Sequence, residues 1–83
     1  MGLQIITVTD QEMAQDTICP GDQLLVKRTW PNYRDGDVVV VRHKTKELIR
    51  KIEGGRVTLF PGMAISLEET ALAGKVLRHF IAL

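Results

Sequence analysis

Short apolar segments alternate with turn-forming residues along the whole chain. The segments are rich in β-branched and aliphatic side chains and are separated by Pro, Gly, Asn and Asp, a pattern typical of strands rather than helices. The chain is therefore predicted to be almost all-β. The predicted strands are residues 3–8, 23–28, 37–43, 47–52, 56–60 and 73–81.

The third and fourth predicted strands carry the clearest packing signals. The valine run at 38–41 is apolar at every position, which indicates a central strand that is covered on both faces. In the next strand Leu48, Arg50 and Ile52 share one face because side chains alternate, so one basic residue is expected among apolar neighbours. Gly54-Gly55 follows and suits the positive φ angles of a tight hairpin turn.

Only the segment 66–73, with sequence SLEETALA, has a helical pattern. Ser66 and Glu69 fit a capping box, but the segment is too short for more than one turn. Several short strands within 83 residues indicate a small, strongly bent sheet or a partly closed barrel. We expect residues 1–83 to form a single domain.

Composition argues against several classes of function. The 11 basic and 10 acidic side chains leave a net charge of +1, so no global field would gather nucleic acid or an anionic membrane. Any role in binding nucleic acid would have to rest on a local patch. At 83 residues the core is small, so association with a second copy would add useful stability.

Residues suited to metal or redox chemistry are sparse. Cys19 is the single cysteine and cannot form an internal disulfide. His43 and His79 have no metal-ligand spacing and are expected at the surface of strand ends, so neither a metal nor a cofactor is expected. Because no signal-peptide pattern and no apolar run of roughly 18 residues is present, we expect a cytoplasmic protein without membrane contact.

An ordered series of short motifs runs through the chain from Thr9 onward. The series is Met13, Ile18, Pro20-Gly21-Asp22, Leu24-Leu25-Val26, residues 35–40, Arg50-Lys51-Ile52, Val57, Leu59 and Gly74-Lys75-Val76. It resembles the C-terminal domain of LexA-like repressors and UmuD-like proteins, a family of self-cleaving serine–lysine peptidases related in fold to signal peptidases. The resemblance implies the same fold here, with Gly21 and Asp22 in the turn that follows the nucleophile loop.

Both catalytic positions of that family are substituted in this chain. In active members a serine precedes the methionine and lies nine residues before the glycine of the turn; Glu12 stands there, next to Met13. The lysine base corresponds to Arg50, and a one-residue shift in the loop 42–46 would place Lys51 there instead. Arginine stays protonated and cannot accept the proton of a hydroxyl nucleophile. We expect no peptidase activity in either alignment, and we hypothesise an ion pair between Glu12 and Arg50.

The resemblance also implies a biological role. The domain would be the non-catalytic, dimerising part of a bacterial or phage transcriptional repressor that is insensitive to self-cleavage. DNA would be contacted only through a separate N-terminal domain, and an antirepressor protein would supply the release signal. Because the last strand often contributes to the dimer interface in this family, the predicted homodimer contact is Leu77, Phe80, Ile81 and Leu83.

Two alternatives stay open at the level of sequence. One is an active serine peptidase or signal-peptidase-like domain whose nucleophile lies elsewhere. The other is a small barrel that binds single-stranded nucleic acid through the loop around Trp30, where aromatic residues and cations are interleaved. Peptide hydrolysis would support the first alternative, and a salt-dependent affinity that is lost in Trp30→Ala would support the second.

Overall fold

Residues 2–9 and 18–82 fold into seven strands with almost no helix, as the alternating pattern predicts. The computed structural model of the chain describes residues 2–9 and 18–82. One 3-10 helix, Leu67–Glu69, separates the last two strands. The strands are β1 (Leu3–Thr7), β2 (Gln23–Lys27), β3 (Val38–His43), β4 (Lys46–Glu53), β5 (Arg56–Phe60), β6 (Met63–Ser66) and β7 (Ala71–Phe80).

The strands join one antiparallel sheet in the order β1-β2-β7-β3-β4-β5-β6. β7 returns from the far end of the chain and inserts between β2 and β3, so the two halves of the sequence are joined through it. β3, which contains the valine run, occupies the middle of the sheet, and this prediction is confirmed. β1 and β6 lie at opposite edges, so the sheet is open rather than closed into a barrel.

Two apolar clusters lie on opposite faces of β3 and β4, because side chains alternate along a strand. β1 and β2 fold over one face, and β5 and β6 fold over the other. Each fully buried Val, Leu or Ile contributes about 1.5–3 kcal/mol relative to an exposed side chain. The loop-side cluster is Val8, Ile18, Leu24, Val26, Val40 and Ile49. The hairpin-side cluster is Val39, Val41, Leu48, Ile52, Val57 and Leu59.

The predicted Gly-Gly turn between β4 and β5 is confirmed. Gly54 and Gly55 adopt φ angles of 60° and 70°, which suit the mirror-image turns that match the twist of a two-stranded hairpin. Asp35 accepts hydrogen bonds from both glycine N–H groups at 3.0 and 2.8 Å. The side chain of a preceding loop therefore caps this hairpin.

The predictions for the segment after β5 were partly wrong. β6 was not predicted, because the helical pattern that begins at Ser66 overlaps the last residue of this four-residue strand. The single turn was correct, but the capping box was not: Ser66 makes no side-chain cap, and the Thr70 hydroxyl instead donates to the Ser66 carbonyl at 2.6 Å. β7 also begins at Ala71, two residues earlier than predicted.

Candidate functional site

Main-chain hydrogen bonds close the base of the loop that corresponds to the family's nucleophile loop. The Val8 N–H donates to the Asp22 carbonyl, and the Gly21 N–H donates to the Val8 carbonyl, both at 2.8 Å. Val8 and Ile18 flank the loop and are buried in the loop-side cluster. Glu12, the residue predicted to occupy the nucleophile position, lies outside the described residues, so its placement stays a prediction.

Asp22 of the predicted turn motif is a buried acceptor between the loop and the end of β7. Its carboxylate accepts hydrogen bonds from the N–H groups of Ala82 at 2.9 Å and Cys19 at 3.0 Å. Oδ2 also lies 2.6 Å from His79 Nε2. The hydrogen bonds from Ala82, Cys19 and His79 lower the pKa of Asp22 from 3.8 to about 2, because they favour the charged carboxylate. Asp22 therefore clamps the loop to the C-terminal end of β7.

The two histidines are not the surface residues that the sequence suggested. His79 lies opposite buried Leu24 in the β2–β7 register and has a side chain that is 21 % exposed. Alternation along β7 turns it toward the loop-side cluster, where Asp22 binds it. His43 is half-buried, and its ring packs edge-on against Phe60 with 5.7 Å between ring centroids.

Arg50 is 4 % exposed, and its guanidinium is bound to main-chain carbonyl oxygens. Nε donates to the carbonyls of Thr58 at 3.1 Å and Leu59 at 3.0 Å, and Nη2 donates to Leu59 at 2.7 Å. Nη1 donates to the Ile49 carbonyl at 2.7 Å. Cζ also lies 5.9 Å from the centroid of the Phe60 ring, within range of a cation–π contact.

The expected placement of Arg50 on the face of Leu48 and Ile52 is confirmed. Leu48 and Ile52 both belong to the hairpin-side cluster. β5 passes over the same face and supplies the carbonyl groups that Arg50 binds. Five rigid N–H donors and no acceptor make arginine suitable for binding several carbonyls. At this position the side chain joins β4 to β5 and offers no lone pair that could accept a proton.

Lys51 points to the opposite face of the sheet from Arg50. It lies across from Val38 in the β3–β4 register, and Val38 packs against the loop-side cluster. Residues that face each other across a strand pair share a side of the sheet. Lys51 therefore emerges, half-buried, on the side of the sheet where Val8 and Ile18 flank the loop, whereas Arg50 does not.

A second candidate surface is the outward face, defined here as Leu3, Ile5, Leu77, Phe80 and Ile81. The predicted contact residues Leu77, Phe80 and Ile81 have exposed fractions of 39, 47 and 67 %. Leu83, the fourth predicted contact, lies outside the described residues. The sequence did not single out Leu3 and Ile5, although both are at least half exposed on β1.

Strand register places Leu3, Ile5 and Phe80 on the face that points away from the loop-side cluster. Ile6 packs against the loop-side cluster, so its neighbour Ile5 points outward by alternation. Phe80 lies opposite exposed Gln23, whose neighbour Leu24 is buried on the inner side. The bulge in the β2–β7 pairing adds Leu77 as an unpaired residue between Val76 and Arg78, an irregularity that no local sequence signal marks.

The part of the chain described by the structure contains neither a candidate metal cluster nor a candidate membrane-spanning helix. Within residues 2–9 and 18–82, no group of three or more His, Cys, Asp or Glu side chains could hold a metal ion. In the same ranges, no helix has the length and apolar character needed to cross a bilayer.

Comparison with known proteins was made at the level of families and of individual sequences. A model described as Peptidase S24-like matches residues 2–64, which include the loop, the Gly-Asp turn and Arg50. A search of curated proteins found no match.

Proposed function

Because the chain belongs to the Peptidase S24-like family, we propose that it is the non-catalytic, dimerising regulatory domain of a bacterial or phage transcriptional repressor. The repressor is insensitive to self-cleavage, since no serine stands at the nucleophile position in either alignment. DNA is contacted through a separate N-terminal domain, and the present domain controls assembly.

The observation that carries the proposal is that the Arg50 guanidinium binds main-chain carbonyl oxygens. In place of a lysine base, this position holds a side chain whose three nitrogens donate to main-chain carbonyls of β4 and β5. A lysine becomes a base when burial disfavours its charged form, whereas arginine keeps its proton. The position thus supports a structural role in the sheet and not proton transfer.

Lys51 does not rescue catalysis. It lies on the side of the loop flanks and is chemically able to act as a base, but no serine stands at the nucleophile position. Ser66 ends β6, which lies at the opposite edge of the sheet from β1, the strand that leads into the loop. Loss of the nucleophile at Glu12 therefore accounts for inactivity in either alignment.

The outward face is the surface proposed for assembly, and its occupant is a second copy of the chain. It comprises five large apolar side chains from β1, β7 and the residue after β7, with exposed fractions between 39 and 67 %. A two-fold dimer uses the same patch on both subunits, so one apolar face satisfies both sides of the contact. The dimer then holds two DNA-binding heads together, which raises the effective concentration of the second head at its half-site.

Release from DNA requires a signal other than cleavage. The clamp of Asp22 on His79 and Ala82 fixes the segment that carries Phe80 and Ile81. A protein that binds this segment would compete directly with the second subunit. An antirepressor that acts on the dimer contact is therefore the form of regulation consistent with this domain.

Incubation of the purified chain at alkaline pH tests the lack of catalysis. We expect the wild-type protein to stay intact and to hydrolyse no peptide, because no serine stands at the nucleophile position. Mass spectrometry of the intact chain and release of a fluorescent group from a peptide library are suitable measurements.

The matched controls are Glu12→Ala and Arg50→Lys. A self-cleavage fragment in the wild-type protein that is absent from Glu12→Ala would contradict the proposal and identify Glu12 as a catalytic residue. Arg50→Lys, which places the family's residue at this position, is expected to remain inactive, since the serine is still missing.

A further inference from the structure

A pocket of about 360 Å³ is lined by Lys75 of β7, five residues before Phe80 of the outward face. Its size falls within the usual range of small-molecule sites, roughly 300–1,000 Å³. It is formed by the loop between β2 and β3 together with the middle of β7. The lining residues are Trp30, Pro31, Asn32, Arg34, Asp37 and Lys75.

The centre of this pocket combines an aromatic ring with an ammonium group. Lys75 Nζ lies 4.4 Å from the centroid of the Trp30 ring and 3.4 Å from Asp37 Oδ1. Asp37 Oδ2 accepts a hydrogen bond from the Arg34 N–H at 3.0 Å. The single carboxylate among the lining residues thus binds Lys75 and the Arg34 main chain, and the pocket places the Trp30 indole beside the Lys75 cation.

The cations around the pocket exceed the anions. Lys27 lies directly opposite Lys75 in the β2–β7 register, so the two side chains emerge on the same face. Like charges directly opposite in a sheet are destabilising unless an anion compensates them. Arg34 and Lys75 line the pocket, Lys27 lies next to Lys75, and Asp37 is the one carboxylate of the lining, so cations outnumber anions here.

We propose that this pocket binds a nucleotide unit, with its base stacked on Trp30 and its phosphate held by Lys27 and Lys75. Aromatic rings bind bases of any sequence because every base has a π face, and neighbouring cations bind the backbone phosphate. Asn32 supplies amide groups at the rim that suit the polar edge of a base. The nucleotide is either free or part of a single strand, and the site does not depend on the dimerising role.

Trp30 is the only tryptophan of the chain, so its fluorescence reports on the pocket directly. Thymidine monophosphate and a single-stranded oligothymidylate of about 10 nucleotides, which covers one typical site, are titrated at low salt. We expect saturable quenching, which weakens as salt is added because binding releases counterions. Quenching by both probes identifies a mononucleotide site, and quenching by the oligonucleotide alone identifies a single-strand site.

Charge-removing variants locate the binding. Lys27→Gln leaves the Lys75–Asp37 ion pair in place, and we expect it to weaken binding about tenfold, the loss expected for one hydrogen bond to a charged group. Lys44→Gln removes the same charge at the exposed turn between β3 and β4 and is expected to bind as the wild-type protein does. Trp30→Leu is tested with a dye-labelled oligonucleotide, and thermal midpoints verify that each variant is folded.

Three results would overturn the proposal. The first is the absence of quenching by either probe. The second is an equal loss of affinity in Lys27→Gln and Lys44→Gln, which would indicate attraction to overall charge. The third is competition by duplex DNA as effective as that by the single strand, because the bases of a duplex are not available to stack on Trp30.

Discussion

At the scale of the residue, Arg50 and Asp22 show how polar side chains organise this small sheet. The sequence predicts that Arg50 lies on an apolar face, because alternation in β4 requires it. It does not predict which carbonyl groups accept hydrogen bonds from the Arg50 guanidinium. Thr58 and Leu59 reach Arg50 only because the Gly54-Gly55 hairpin folds β5 over β4. The turn at Asp22 is predictable from its local pattern, but its partners are remote: His79 and Ala82 follow it by 57 and 60 residues.

The depressed pKa of Asp22 makes the stability of the domain sensitive to acid. Its folded-state pKa of about 2 lies below the ordinary value of 3.8, so folding favours the charged form. This contribution is complete above about pH 4 and is lost as the pH falls through 2. We expect Asp22→Asn to be less stable than the wild type at neutral pH, and the difference to shrink between pH 4 and 2.

Urea denaturation at a series of pH values measures this effect. Glu47, whose pKa is lowered by hydrogen bonds from Arg28 and Arg42, also loses its charge in acid, so the difference between wild type and Asp22→Asn is the relevant quantity. A difference in unfolding free energy that stays constant from pH 7 to pH 2 would show that the carboxylate charge of Asp22 does not stabilise the fold.

At the scale of the element, strands with strong local patterns are predictable and irregular ones are not. The valine run and the Gly-Gly hairpin define β3, β4 and β5 to within one or two residues, because apolar composition and turn chemistry agree. β6 was not predicted, because three of its four residues, Met63-Ala64-Ile65, do not alternate between apolar and polar side chains. The fourth, Ser66, begins the helical pattern that follows. β7 departs from regular pairing at two bulges, which depend on contacts with β2 and β3.

Gly74 is required by the close approach of β7 to β2. Its φ angle is +148°, and a Cβ there would lie 2.7 Å from Val26 Cγ1 and 3.0 Å from the Lys27 carbonyl oxygen. We expect Gly74→Ala to lower the unfolding free energy by about 1–3 kcal/mol, the usual cost of overpacking a core, in addition to backbone strain.

The matched control for this prediction is Gly62→Ala. Gly62 has a φ angle of +82°, but a Cβ at this position would meet no atom within 4 Å, so that variant carries backbone strain without a collision. Chemical denaturation compares the two variants. Equal losses of stability would mean that conformational strain alone, and not the contact with Val26 and Lys27, requires glycine at position 74.

At the scale of the whole molecule, the sheet buries two clusters and leaves one apolar face uncovered. The loop-side and hairpin-side clusters cover both faces of β3 and β4, but β1 and the end of β7 have cover on one face only. The sequence predicts Leu77, Phe80 and Ile81 as contact residues, because the last strand often contributes to the dimer interface in the family that the chain resembles. It does not predict Leu3 and Ile5, because the pairing of β1 with β2 decides which residues point outward.

Substitution of Phe80 tests the outward face as a contact between two copies. Phe80→Glu places a charge within the proposed contact, and we expect the dissociation constant of the dimer to rise about 30-fold or more, equivalent to about 2 kcal/mol at a hot spot. Met63→Glu is the control, because Met63 is 42 % exposed on β6, outside that face.

Sedimentation equilibrium of the wild-type chain, Phe80→Glu and Met63→Glu across the micromolar range is the most direct test of the proposed function. We predict dimers for the wild type and Met63→Glu and a monomer for Phe80→Glu. A wild-type chain that stays monomeric at the highest concentration would contradict the proposed assembly, as would a Phe80→Glu variant that associates as tightly as the wild type.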